Sequence, residues 1–567
     1  MVKDFVLKNT QKLILVIILL ITHFLIGLNT IPRLSPTYDE PLHLTAGYSY
    51  WKTGQYYLNI YDHPPLAEMI GAIPLIFQNP VLLIQHPSWA NYRQYSFANL
   101  FLYQNKISPE KMLNPGRIII LVFSCMLGFF IFKWSSALSG YLAGLVSLIF
   151  YVFSSAFISN GTLVTTDLIM VLFFYLSFYT FWNWLNNQSL RNAILTGLCF
   201  GLTLCSKFSA IILPGIFLIQ YFLFYIYNRK NCPVNRFIAH IFIVLGISAL
   251  TILAVYRFNS ISLFFDGLSR TLARLENGRS SFLFGQYSTT GWWYYFILVF
   301  LIKTPVSLLL AFFTAIILRL KQKFNNNFYN LKTNPVLFLL IPVLIYFLIA
   351  SASKTQIGFR HILPVYPFIL IIAGSIAAYN RIYKYLLIPV MIWYIFACYK
   401  IHPWHISYFN EFIGGSKNGY KYLTDSNIDW GQGLKQFTID LQKEYPGTAQ
   451  TPLFFCYFGV GDPHFYGIKY APIGFIDNLD PAERAGDRDL VISTKKLNRV
   501  IFAISVTNLQ ATYYSDKKIF SWLKDIPFKQ TAYSIHLYDL TGNKKAINQL
   551  KTLLIMSGNK DLIGFIS

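Results

Sequence analysis

The sequence is short of charge. Only 13% of its 567 residues are Asp, Glu, Lys or Arg, against roughly 25% in a soluble domain. Acids are scarcer still, with 24 Asp and Glu against 47 Lys and Arg, giving a net charge of +23. With 54% hydrophobic residues and a mean hydropathy of +0.45, this deficit excludes an ordinary water-soluble fold and makes the chain an integral membrane protein. Cysteine is also sparse. Cys125, Cys199, Cys205 and Cys398 fall in or near apolar segments, Cys232 in a short basic loop and Cys456 alone in the tail. Neither metal spacing nor a disulfide framework is present, so they read as buried structural thiols. The positive charge comes without a basic-aromatic module, so nucleic acid is not an expected partner.

What the chain has instead is long apolar runs. The first, Leu13 to Ile31, is about nineteen residues, enough to cross a hydrocarbon core of ~30 Å. With no small-residue cleavage site after it and many spans to follow, it reads as a retained helix rather than a signal peptide. About eleven transmembrane helices are expected, with cores near 13–31, 117–134, 140–158, 166–185, 192–206, 209–227, 237–257, 292–318, 335–351, 361–379 and 384–401. Basic residues fall on alternate loops: Lys3, Lys8 and Lys12; Lys133; Arg191; Arg229, Lys230 and Arg236; Arg319, Lys321, Lys323 and Lys332; Arg381 and Lys384. The positive-inside rule makes that side cytoplasmic, with the N-terminus inside and the tail outside, in a plasma or inner membrane.

The few acids then sort in a way this rule does not explain. Before residue 400, only Asp4 is assigned inside. Asp39, Glu40, Asp62, Glu68, Glu110, Asp167, Asp266 and Glu276 all map outside, which suggests an outward-facing polar site. The expected organisation is a membrane body over 1–402, including a long outer loop at 32–116, followed by an extracytoplasmic domain over 403–567. Two stretches of the loop, "PLHLTAGYSYWKTG" and "PPLAEMIGAIPLIF", read as interfacial helices. The tail reads as a small α+β domain, with strands at "TPLFFCYFGV", "DLVIST" and "VIFAISVT" and a helix at "GLKQFTIDLQKEY".

Several residues are candidates for chemistry. The pair Asp39-Glu40 follows the first span. It could deprotonate a hydroxyl or hold a cation, or it could cap a helix starting near Pro41. Asp62-His63-Pro64-Pro65 repeats the pattern, an acid leading a helix. Lys207 lies between two apolar segments, as a snorkelling side chain or a counter-charge for an anionic headgroup. Lys354, Arg360 and His361 sit in "SASKTQIGFRHILPVYPF" at an outer mouth, against the topological rule. They are loop charge or a phosphate site, since Arg binds phosphate through paired hydrogen bonds. Lys303 in "LIKTPV" is an intramembrane cation, and the outer acid Asp167 joins the substrate-binding candidates. The string "NEFIGGSKNGYKYLTDSNIDWGQGLKQF" suits a structured loop, Ca²⁺ binding or sugar contacts. Whether any metal site exists is left open.

"YDEPLH" after the first helix, "DHPPL" about 22 residues on, and "KTQIGFRHILPVYPF" in a multi-spanning body resemble the dolichyl-phosphate-mannose protein mannosyltransferase-like family. Its relatives are bacterial aminoarabinose transferases and protein O-mannosyltransferases, all C-type membrane glycosyltransferases. The resemblance covers about residues 1–400. It implies a polyprenyl-phosphate-linked sugar donor, an acceptor hydroxyl that attacks the anomeric carbon with inversion, and a departing lipid phosphate. Asp39 would then be the general base and Glu40 would orient the acceptor. Asp62 and His63 would shape the pocket, and Lys207, Lys354 and Arg360 would stabilise the phosphate. His361 and Glu68 depart from the family, where an aromatic and a Lys are commoner. No cofactor is certain, a divalent cation remaining open, and the acceptor class is unknown. A transporter of anionic polyprenyl lipids and a non-catalytic envelope scaffold are the alternatives. The first lacks the inverted repeats such transporters show.

Overall fold

The computed structural model describes residues 9–229, 234–321, 331, 334–445, 453–473 and 499–566. Cys232, the "DLVIST" segment, Asp4 and the basic residues Lys3, Lys8, Lys230, Lys323 and Lys332 lie outside that set. The protein is a multi-pass helical membrane protein. Among the described residues, eight helices are long and apolar enough to cross a bilayer: Thr10–Arg33, Pro109–Ser139, Thr166–Asn186, Phe208–Asn228, Val234–Val255, Pro335–Ala352, Phe359–Ala378 and Arg381–Ile401.

The other three expected spans differ in detail. Tyr141–Val152 and Ser155–Gly161 form one pair bent by 60°, and Tyr295–Lys303 and Val306–Lys321 another bent by 113°. Pro305 lies in the second break, where its missing N–H and its ring interrupt the helical ladder, so the apolar run 292–318 is not one straight rod. Leu190–Leu204 is apolar but short. It packs on Val234–Val255, and a Cβ on Gly197 would come within 2.7 Å of the Val244 carbonyl oxygen. With Gly201 one turn further on, this is a small-residue seam that brings two backbones close.

The helix that opens the long loop at 32–116, Glu40–Thr53, is buried by protein from Glu40 through Tyr50. It packs on Leu66–Gly71, Gln94–Tyr103 and Pro109–Ser139, whereas the second expected helical stretch ends in Ile73–Gln78, which leaves Ile76 and Phe77 exposed. At Gly47 a Cβ would sit 2.0 Å from the Glu68 carbonyl oxygen, so only glycine permits this approach. The loop 258–291 forms the helix Ile261–Asn277 and a hairpin of β1 (Ser281–Leu283) and β2 (Gln286–Ser288).

Among the described residues, the tail carries a five-stranded sheet. Its strands are β3 (Leu453–Cys456), β4 (Tyr470–Pro472), β5 (Ile501–Ser505), β6 (Lys529–Thr531) and β7 (Ile535–Asp539), in the order β4-β3-β5-β7-β6. The β3 strand pairs parallel with β4 and β5, whereas β7 pairs antiparallel with β5 and β6. Both faces are covered. Phe454, Cys456, Phe502 and Ile504 pack with Ile547, Leu550 and Leu554 of the helix Lys544–Met556. Leu453, Phe455, Ile501 and Ala503 pack with Leu434, Phe437 and Leu441 of the helix Leu434–Glu444. Double coverage is why these strands read as continuous apolar runs rather than as alternating ones.

The loops assigned to one side of the membrane meet one another. Tyr38 N–H donates to the Trp430 carbonyl at 2.9 Å, and Lys435 Nζ to Glu110 at 2.6 Å. Trp292 N–H donates to Gln356 at 2.8 Å, and Phe284 N–H to the Tyr422 carbonyl at 3.0 Å. The first loop, the 258–291 loop, the 353–360 segment and the tail therefore share one end of the helical bundle.

Candidate active site

At that end, two carboxylates and two cations from four separate segments converge. Asp39 precedes the buried loop helix, and Asp167 opens the span Thr166–Asn186. Lys207 ends the stretch after Leu190–Leu204, and Arg360 begins Phe359–Ala378. Lys207 Nζ donates to Asp167 Oδ1 at 2.6 Å. Arg360 Nη1 donates to Asp39 Oδ2 at 3.1 Å and lies 3.6 Å from Asp167 Oδ2. Asp167 is 2% exposed and Asp39 21%, so Asp39 is the more accessible of the two carboxylates. The Arg360 guanidinium also lies over the Trp430 ring at 4.2 Å. An Arg held by two carboxylates and an aromatic face is fixed in place before any ligand arrives.

His63 and His361 flank this cluster, within electrostatic range of Lys207, Asp167 and Arg360. Burial, reinforced by the neighbouring His43 and Lys207, pushes the His63 imidazole well below its ordinary range, which keeps it neutral. Four buried polar atoms of the candidate residues make no hydrogen bond among the described residues: His63 Nδ1, Asp167 Oδ2, Arg360 Nε and His361 Nε2. Buried groups of this kind cost about 1–3 kcal/mol each when unpaired, so their concentration in one place marks a polar ligand site.

The remaining candidates sit elsewhere. Glu40 is turned away and fully buried. Its Oε1 accepts from Arg117 Nε at 2.8 Å and Val164 N–H at 2.9 Å. Its Oε2 accepts from Arg117 Nη2 at 2.6 Å and from Thr37 N–H and Oγ1, both at 2.9 Å. Five donors leave no lone pair aimed at an acceptor, so the expected orienting role gives way to an anchoring one. Asp62 is ion-paired with Arg274 of the helix Ile261–Asn277 and accepts from Gln94 at 3.4 Å. It ties that helix to the loop instead of facing the cluster. Lys354 is exposed and donates to the Glu276 carbonyl at 2.8 Å, at the end of the same helix, so it does not join the phosphate candidates. Lys303 is buried at the 113° break. It donates to the carbonyls of Ile406 (2.8 Å) and Asn427 and lies 4.4 Å over the Phe409 ring.

The polar string at 410–437 proves to be stitching for that break. Asn410 Nδ2 donates to the carbonyls of Leu301 at 2.6 Å and Thr304 at 2.7 Å, satisfying oxygens the interrupted helix leaves over. Asn427 Oδ1 accepts from Phe359 N–H at 2.9 Å, next to Arg360. The structured-loop reading thus fits. Among the described residues, no group of three or more His, Cys, Asp or Glu side chains could hold a metal ion.

Sequence reasoning missed several residues. Arg117 was legible as a cation inside an apolar helix, a placement that demands a partner. The pair His43–Glu68, at 2.8 Å and joined by Asn59, was not, because its members are 25 residues apart in a loop. Burial favours the neutral Glu68 and raises its carboxyl. Burial works against charge on His43, but the Glu68 hydrogen bond and charge outweigh it and raise the imidazole. Glu68, which departs from the family pattern, is therefore an internal partner. Trp430 and Asp425, from the tail, were seen only as members of a polar string. Asp425 accepts from Tyr513, whose ring lies 4.8 Å from the Arg279 guanidinium.

Residues 100–256 match the family model described as dolichyl-phosphate-mannose-protein mannosyltransferase. The family resemblance read from the loop motifs holds. The matched stretch carries Asp167 and Lys207 of the cluster, whereas the motifs that first suggested the family lie outside it. Among solved structures, the chain is similar to ArnT from Cupriavidus metallidurans in its apo state, at 11% identity over 93% of this chain and 97% of that one, with a TM-score of 0.45. For ArnT bound to undecaprenyl phosphate the identity is 11%, the coverage 94% and 99%, and the TM-score 0.45. The Archaeoglobus fulgidus oligosaccharyltransferase in its apo form is 9% identical over 78% of this chain and 59% of that one, with a TM-score of 0.47. No curated protein sequence matches the chain.

Proposed function

We propose that the chain is an inverting membrane glycosyltransferase that moves a sugar from a polyprenyl-phosphate donor to an acceptor hydroxyl at the outer membrane face. The observation that carries this is the cluster itself. A reachable carboxylate, Asp39, stands beside two cations, Lys207 and Arg360, at the end of an apolar helical bundle. The family's mannosyltransferase description supports the same reading. The helices would hold the polyprenyl chain, with the phosphate at their outer mouth.

In the reaction, the acceptor oxygen forms a bond to the anomeric carbon as the bond from that carbon to the phosphate oxygen breaks. Asp39 takes the hydroxyl proton. Only its Oδ2 is engaged among the described residues, so Oδ1 is the base. The phosphate leaves with the electron pair, and its charge is met by Lys207 and Arg360. The buried Asp167 holds both cations in register, so that they need not reorganise as charge develops.

On this reading the N-terminus and basic loops face the cytoplasm and residues 403–567 the outside, with the tail packed against the bundle and closing the site through Trp430. The test compares lipid, glycan and protein fractions by mass spectrometry from cells carrying the wild-type chain or Asp39→Asn. The expected result is loss of one sugar mass from one fraction. In vitro turnover should fall by about 10²–10⁴-fold, the usual contribution of a general base. Normal turnover by Asp39→Asn would refute the mechanism and favour a lipid transporter or a scaffold.

A further inference from the structure

A second cleft lies away from the cluster, between the segment that follows the last span and the β6–β7 hairpin. It is about 700 Å³ and open, lined by Trp404, Lys417, Asn418, Tyr420, Lys421, Phe528, Gln530, Ala532 and Tyr533. That volume falls within the roughly 300–1,000 Å³ typical of small-molecule sites. None of the residues assigned to transfer contributes to it.

The lining is chemically selective. It has four aromatic rings, two lysines and two carboxamides, no acid, and no aliphatic side chain beyond Ala532. Phe528 is stacked on His536 by one face, with centroids 3.9 Å apart and 13° between the planes, yet it is 39% exposed. Tyr420 meets the same ring edge-on at 6.1 Å, so a partly exposed aromatic pair lines the cleft. Lys421 lies 5.7 Å over the Tyr420 ring and donates to Asn418 Oδ1 at 3.1 Å. Gln530 Nε2 donates to the Tyr533 carbonyl at 3.3 Å and contacts His536 Nε2 at 3.2 Å, leaving its carbonyl oxygen as an acceptor. The wall beside it holds Ala532 at φ 49° and Tyr533 at φ 60°. They are the central residues of the β6–β7 hairpin, closed by Ser534 N–H donating to the Thr531 carbonyl at 3.0 Å, and a tight hairpin turn requires this left-handed backbone at both positions.

From this lining we infer that the cleft binds an anionic saccharide. Flat rings take the apolar faces of sugar rings, carboxamides take hydroxyls, and lysines without a lining carboxylate take carboxylate or phosphate substituents. A phospholipid fits less well, because the lining offers nothing aliphatic for an acyl chain. In the cell, the bound saccharide would be a glycan acceptor held near the outer face of the bundle. That last assignment rests on the transferase reading, but binding itself does not.

The experiment is calorimetric titration of the purified full chain in detergent with tri-galacturonate, a phosphorylated maltotriose and neutral maltotriose. Vesicles containing phosphatidylglycerol are titrated alongside. The wild-type chain should bind the two anionic probes and bind maltotriose more weakly. Phe528→Ala and the double variant Lys417→Gln/Lys421→Gln should each weaken anionic binding by about tenfold. These side chains are on the surface, so both variants should fold. Asp39→Asn should bind like wild type while failing to transfer, which separates this inference from the catalytic one. Silence with both anionic probes, equal affinity for maltotriose, unchanged binding in the cleft variants, or binding to the vesicles alone would each overturn it.

Discussion

Asp39 and Glu40 are adjacent in sequence and alike in chemistry, yet they should fail in different ways. Glu40→Gln keeps the shape but replaces one oxygen with an amide nitrogen, which must then face donors. Glu40 accepts two bonds from Arg117, two from Thr37 and one from Val164, all between 2.6 and 2.9 Å. Breaking a buried ion pair by removing one partner costs about 3–5 kcal/mol. Arg117 also donates to the carbonyls of Ile31, Leu34 and Ser35, which persist in the variant and place the cost at the low end. A loss of about 3 kcal/mol raises the unfolded-to-folded ratio roughly 150-fold. The assay is heat-induced unfolding in detergent followed by tryptophan fluorescence, with turnover per folded molecule measured well below the transition. Glu40→Gln should unfold at clearly lower temperature and, while folded, turn over at a rate near wild type. Asp39→Asn should do the opposite, since the Asp39 side chain makes no cap bond to the helix it precedes, and its one hydrogen bond among the described residues, from Arg360 at 3.1 Å, can still be accepted by the Asn carbonyl oxygen. Unchanged unfolding of Glu40→Gln together with lost turnover would refute the anchoring role and return Glu40 to the chemistry.

Lys207→Gln removes a charge-assisted bond worth roughly 1.5–3 kcal/mol and should raise the donor KM by about tenfold or more; an unchanged KM would remove Lys207 from the phosphate site. Asp429 gives a pH prediction. Its carboxyl is pushed up to about 7 by burial, despite accepting from Thr507 N–H at 3.1 Å and Gly431 N–H at 3.4 Å. The folded value lies above the unfolded one, so the folded state holds the proton more tightly. The stabilisation is complete below about pH 4 and is lost as pH rises through about 7. Tail stability, read by proteolysis, should therefore decline over that interval, and Asp429→Asn should flatten the decline; an equal slope in the variant would refute this.

The division between what was legible in the sequence and what was not follows the range of the interactions. Apolar runs longer than a bilayer core are a local property, so the multi-pass helical class could be read directly, and so could Lys207 and Arg360, charges in places that demand a reason. Strand segments at 453–456 and 501–505 and the helix 434–444 were also legible, because double burial leaves a continuous apolar run or an amphipathic stripe. The sequence did not reveal which of two adjacent acids faces the site. Helix geometry turns successive residues by about 100°, and only the position of Arg117, 77 residues further on, decides which way Glu40 points. The same holds for the break at Pro305. A proline announces an interruption, but the sharpness of the bend depends on Asn410 and Lys303 finding partners across the break more than a hundred residues apart in sequence. Hydropathy and charge determined what kind of protein this is and where its polar end lies. Which polar groups meet there was left to tertiary structure, because long-range pairing of buried charges is set by packing and has no signature in local composition.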